Sequence, residues 1–265
     1  MIWLSRRLSV HGEVIVDLCD SGKIWAAAVS WSADPFFRLK LWVSSRLLRT
    51  RRTNLILSYV TARDAVADLP THPSIVVANN YPSYLGDLEE FTGPPERIVI
   101  AADLAAVQNR EGMNWFEAAV RSGELTLRIP VEIYGPTEPV HALPPNVEYR
   151  GWAPNIRSIY EGQTAVFAPT VRGAGIQNKY LEAVSAGRPV VIGKQPSEAI
   201  PSYTGTLPFE SKTQLVKQLT LLQEFSSPIV RDETCLVSRD EAEWGAAVLS
   251  AVASRRRGQR SEFRG

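Results

Sequence analysis

VFAPTVRGAGIQNKYLEAVSAGRPVVIG, residues 166–193, decides the fold, because it joins strand, glycine loop, helix, glycine stop and second strand without interruption. Gly173 and Gly175 let the backbone approach a ligand closely. The helix that follows presents free N–H groups and about half a positive charge at its start, so the loop and helix together form an anion cradle. Glu182 lies deeper along that helix, where a carboxylate can accept hydrogen bonds from ribose hydroxyls, as acids do in other nucleotide sites. Gly187 closes the helix and Pro189 opens the next strand. A glycine loop alone is also the mark of a mere tight turn.

Working outward, the same rhythm fills the chain. Upstream, GEVIVDLCDS, NLILSYVT (54–61) and SIVVANN (74–80) read as strands, with ARDAVADL as a short helix between the last two. YPSYLGDLEEFTGPPE (81–96) is rich in Pro, Gly and acids and breaks the periodicity, so the domain boundary is placed there. A second series runs through strand RIVIAAD (97–103), a helix from about Gly112 to Ser122, strands PVEIYG (130–135) and VEYRGW (147–152), a short helix after Pro154 and strand AVFAP. SKTQLVKQLTLLQEF reads as a helix, and Glu241 to Ser254 as a last one. Strands this uniformly apolar predict parallel sheets covered by helices on both faces. The boundaries expected are 1–90, 91–225, a helical segment 226–256 and a disordered basic tail 257–265.

Composition narrows the function. With 29 basic and 28 acidic residues the net charge is +1, which gives no global field to attract nucleic acid. Two cysteines, Cys19 and Cys235, stand in no metal or CxxC spacing, so neither a zinc site nor a disulfide framework is expected and a cytoplasmic setting fits. No apolar run is long enough to span a bilayer. The segment from Phe36 to Arg52 mixes apolar residues with Arg38, Lys40, Arg46, Arg49, Arg51 and Arg52, which admits peripheral contact with the inner face of a membrane. Its plainer reading is a core-facing helix with solvated arginines.

The string GAGIQNKYLEAVSAGRPVV resembles the G-x-G-I-x-x-K-x-L-E-A-x-x-x-G-x-P-V-V signature of group 1 (family 4) glycosyltransferases. The resemblance extends through IAADLAAVQNREGMNWF, VEIYG, VEYRGWAPNIRSIY and AVFAPTVRGAG, over about residues 97 to 225. It implies a GT-B fold, an α/β protein of two Rossmann-like parallel-sheet domains, of which the first is truncated here and would form the acceptor side. It implies a transferase that moves a sugar from a nucleotide sugar, a UDP- or GDP-sugar, to an unknown sugar, lipid-linked or small-molecule acceptor with retention and no other cofactor; metal is not demanded, since no DxD-like carboxylate pair stands in a plausible loop. Carried over by position, Gly173, Ala174, Gly175 and Ile176 would line the diphosphate or sugar, and Glu182 would hold the ribose. Lys179 would face phosphate, pair with Glu182 three residues on, or be solvated.

Gly151 and Trp152 occupy a turn that lies beside the base in similar enzymes, and Gly135 ends the preceding strand; for Trp152, packing in the core is the stronger expectation. The basic pair that many members carry near the first strand is replaced by Asp103 and Glu111, so Arg110 or Arg172 would have to meet the phosphates. No catalytic residue is assigned, His11 and His72 being isolated. The shortness of the first domain leaves open a second role, a noncatalytic nucleotide-sugar-binding subunit completed by a partner chain.

Overall fold

The computed structural model describes residues 85–200 and 203–229 continuously; before them it describes chiefly 14–19, 55–59, 61–68 and 74–76, with isolated positions elsewhere. Two compact units are present, Met1–Asn80 with Ser238–Gly265, and Tyr81–Val237. In the first, β1 (Val14–Cys19), β2 (Leu55–Tyr59) and β3 (Ser74–Val76) form a parallel sheet in the order β1-β2-β3, with helix α1 (Ala62–Asp68) between β2 and β3. Most of the segment Phe36 to Arg52 and of the expected helix Glu241 to Ser254 lies outside the described residues, as does the tail 257–265. Among the described residues no helix is long and apolar enough to cross a membrane.

The second unit is a six-stranded parallel sheet of β4 (Arg97–Ala101), β5 (Val131–Tyr134), β6 (Val147–Gly151), β7 (Thr164–Phe167), β8 (Val190–Gly193) and β9 (Thr206–Phe209), in the order β6-β5-β4-β7-β8-β9. The expected two-faced burial is present. Ile98, Ile100 and Ala102 pack on one side with Met113 and Phe116 of α2 (Val107–Arg121) and Leu215 and Leu219 of α6 (Lys212–Leu222). Val99 and Ala101 turn to the other side, where Ile159 and Tyr160 of α3 (Ile156–Tyr160) and Tyr180, Leu181 and Val184 of α4 (Asn178–Ser185) cover them. The period-2 alternation of the strand thus feeds two cores.

One local expectation is corrected, and two elements appear for which none was stated. The helix expected from about Gly112 starts at Val107, because Asp103 closes a turn onto the Ala105 N–H (3.0 Å) and the chain winds directly from Ala106. Strand β9 was not expected, since Pro208 sits within it; the strand lies at the sheet edge, where a missing N–H is tolerated. A single helical turn, α5 (Lys194–Ser197), also follows Gly193 without a sequence signal.

Candidate functional site

The sheet order places the switch point between β4 and β7, since β5 and β6 lie to one side of β4, and β7, β8 and β9 to the other. In an open parallel sheet the crevice outside the carboxyl ends of such strands is where ligands bind. The two loops that flank it, 102–106 and 168–177, are tied together. Asn109 is buried, donates from Nδ2 to the Asp103 carbonyl (2.9 Å) and accepts at Oδ1 from the Thr170 hydroxyl (3.0 Å). Gly112 of α2 lies so close to the second loop that a Cβ there would stand 2.1 Å from the Pro169 carbonyl oxygen.

The glycine loop is a folded structure with its own polar lining. Gly175 has φ +66°, in the left-handed region that glycine enters without strain. The Gln177 amide donates to the Ala174 carbonyl (3.1 Å), and Gln195 Oε1 accepts from the Gly173 N–H (3.4 Å). Neither α2 nor α4 has a side-chain cap on its first turn, so both begin with backbone donors not taken by a capping side chain. The two cationic candidates beside the loop are otherwise engaged: Arg172 pairs with Glu111 (3.2 Å), and Arg110 donates twice to the Ala105 carbonyl (3.2 and 2.9 Å).

A cavity of about 510 Å³ opens at the carboxyl ends of β4, β5 and β6. Ala102 and Asp103, Tyr134 to Pro136 and Trp152 to Ile156 form its walls, and Lys179 of α4 closes one side. At Gly135 the chain segments that end β4, β5 and β6 meet. Gly135 donates to the Gly151 carbonyl (2.9 Å), and a Cβ on Gly135 would meet the Ala102 oxygen at 2.1 Å. The register between β5 and β6 shifts after Ile133, and Gly151 turns the chain at φ +71°, which sends Trp152 outward. Trp152 is 78% exposed, so the expectation that it packs in the core is corrected: an indole that large stands at the mouth of a cavity rather than inside a cluster.

Asp103 accepts from the Thr137 hydroxyl (2.7 Å) and the Ala105 N–H, which together hold its carboxyl below the usual range. Under the sheet's β5–β6 corner, burial works to raise the Glu132 carboxyl, but hydrogen bonds from Arg150 and Tyr134 and the charges of Arg97 and Arg150 outweigh it and leave it low. That network is a strut.

Of the residues singled out in sequence, Lys179, Gly135 and Trp152 line the cavity. Gly173 to Ile176 are grouped in the neighbouring loop, while Arg110, Gly151, Arg172 and Glu182 are not on the cavity wall. Glu182 is 8% exposed and stands behind Lys179, whose Nζ is 3.4 Å from both its carboxylate oxygens. Sequence reasoning missed Tyr160, whose hydroxyl donates to Glu182 Oε2 at 2.6 Å; Tyr134, the last residue of β5, also lines the cavity. Nothing in the string SIYEG distinguishes such a tyrosine from core packing.

Comparison with known proteins agrees with this architecture. Residues 95–224 match the model of a family described as glycosyl transferases group 1. No curated protein sequence matches the chain. Among solved structures, TarM of S. aureus is similar at TM-score 0.58 and 12% identity, over 80% of this chain and 44% of that one. HepE of Anabaena, solved with UDP and glucose, gives 0.58 and 11% over 98% and 75%. The trehalose 6-phosphate synthase of Burkholderia multivorans gives 0.60 and 10% over 97% and 70%. At such identities the likeness is one of fold, that of the GT-B glycosyltransferases. The chain spans less than half the length of TarM.

Proposed function

We propose that this chain, whose residues 95–224 match the glycosyl transferases group 1 family, transfers a sugar from a nucleotide-diphosphate sugar to an acceptor. The observation that carries the reading is that Trp152 and Lys179, an exposed aromatic face and an ammonium, line one cavity at the switch-point end of the sheet. In this reading the base stacks on Trp152, the diphosphate meets Lys179 beside the loop of Gly173 to Ile176, and the ribose hydroxyls donate to Glu182, which Lys179 uncovers as it turns aside. Lys179 and Glu182 at 3.4 Å form a loose pair, so turning the ammonium from carboxylate to phosphate costs little.

The donor is a UDP- or GDP-sugar, an extension supported by the UDP bound to HepE. The acceptor oxygen bonds to the sugar's anomeric carbon while the bond from that carbon to the diphosphate breaks; the diphosphate leaves with the electron pair and takes up the proton that the acceptor hydroxyl gives up. Retention of configuration follows the family resemblance. Fixed donors aimed at the leaving diphosphate stabilise the charge it gains. Micromolar affinity needs about 8 kcal/mol, while a helix terminus supplies about 0.3–2 and a stacked base about 1–3, so base, ribose and phosphate contacts must act together.

The test is release of nucleoside diphosphate from UDP-, GDP- and ADP-sugars by the purified chain, with and without chelator. Turnover of one donor, insensitive to chelator and lost in Lys179→Ala, supports the reading. Binding without turnover, with transfer restored by a partner chain, supports a nucleotide-sugar-binding subunit instead.

A further inference from the structure

We infer that Tyr160 is a positioning residue that fixes the Glu182 carboxylate for the ribose. The inference rests on the donor site proposed above and names what holds its acid in place. Glu182 is one of few buried charged side chains in the second unit, and its partners are two: Tyr160 at 2.6 Å and Lys179 at 3.4 Å. They differ in kind. The phenol bond is short, enclosed and made to one oxygen, Oε2, whereas the ammonium is shared loosely between both oxygens and belongs to a side chain that is 41% exposed. When Lys179 turns to a diphosphate, Tyr160 is what remains to stop the carboxylate rotating. Oε1 is then left to accept from a vicinal hydroxyl.

Tyr160 is itself held at its backbone. It ends α3 in the core, and its carbonyl accepts from Nε of Arg188 (2.8 Å), a guanidinium with no solvent exposure whose Nη1 donates to the Glu89 carbonyl (2.8 Å). The Arg188 carbonyl in turn accepts from the Tyr203 hydroxyl (3.0 Å). A fully buried arginine spent on main-chain carbonyls is a fixed point, because releasing any of its bonds leaves a charged donor without a partner in a place water does not reach. The phenol oxygen is therefore presented to α4 from a rigid base. A side chain that served packing alone would need only the ring.

The experiment is a calorimetric titration with UDP, GDP and ADP, each against its 2′-deoxy form, on wild type, Tyr160→Phe, Glu182→Ala and the double variant, with thermal melting alongside. Wild type should prefer the tightest ribonucleotide about tenfold over its 2′-deoxy form, a difference of about 1.4 kcal/mol. Tyr160→Phe should lose most of that preference while its affinity for the deoxy form stays put, and the double variant should match Glu182→Ala alone, because the two residues act as one unit. Equal weakening of both nucleotides in Tyr160→Phe, or a preference that survives in it but vanishes in Glu182→Ala, would overturn the inference and leave the donor site standing. A preference untouched by Glu182→Ala removes the ribose role of that acid and the inference with it.

Discussion

Replacing Gly112 by alanine sets two effects of known sign against each other. Gly112 lies inside α2, where alanine is favoured over glycine by about 1 kcal/mol. Against this, the added methyl would stand 2.9 Å from the Pro169 carbonyl carbon and 2.1 Å from its oxygen, the latter more than an ångström inside an ordinary contact, and the obstacle is backbone. Overpacking of this kind costs about 1–3 kcal/mol when a flexible side chain can yield, and the upper part of that range applies where it cannot. The expected net is a loss of about 1–2 kcal/mol, a fall in melting temperature of about 2–8 °C. Pro169 leads into Thr170, which bonds Asn109, so the same substitution should push the glycine loop away from α2 and weaken nucleotide binding as well. Gly93→Ala, with nothing within 4 Å of the added carbon, is the control and should stay within about 0.5 kcal/mol. A Gly112→Ala variant that melts higher than wild type with unchanged nucleotide affinity refutes the close approach.

Other expectations follow from the same geometry. Trp152→Ala should leave the melting temperature nearly unchanged, because the indole is exposed, yet weaken nucleotide binding by about 1–3 kcal/mol in titration, the worth of one stacked base. Arg172→Ala breaks an exposed pair with Glu111 and should cost less than about 1 kcal/mol of stability by denaturant melting. Glu132 is held ionised by Arg97 and Arg150, so its folded-state pKa lies below the unfolded one; its stabilisation is present above the ordinary carboxyl range and lost as pH falls through the folded value. Glu132→Gln should therefore be less stable at pH 7 by about 1–2 kcal/mol and show a flatter decline in acid, read from melting temperatures between pH 7 and 3.

The sequence made the sheet legible because apolar runs of four or five residues, separated by glycines and acids, leave little choice of element. Strand β9 escaped because Pro208 argues against a strand unless the edge position is known, which is a fact of topology. The start of α2 escaped because no side chain caps it: Asp103 closes a turn onto the Ala105 N–H, ahead of the first helical residue. At the site, the motif drew attention to Lys179 and Glu182; their i, i+3 spacing admits the pairing that is present, alongside a lysine facing phosphate or solvent. Trp152 and Tyr160 show the limit. One follows a left-handed glycine and a register shift, the other has its main-chain carbonyl held by a buried arginine, and neither setting is carried by an aromatic letter in a string.

The measurement that bears most directly on the donor site is calorimetric titration of the purified chain with UDP, GDP and ADP, repeated on Lys179→Ala and Trp152→Ala. Saturable binding of one diphosphate, weakened by both substitutions without loss of folding, is the predicted result. Binding of none at millimolar concentration, or binding that neither substitution alters, contradicts the placement of the nucleotide in the cavity at the ends of β4, β5 and β6.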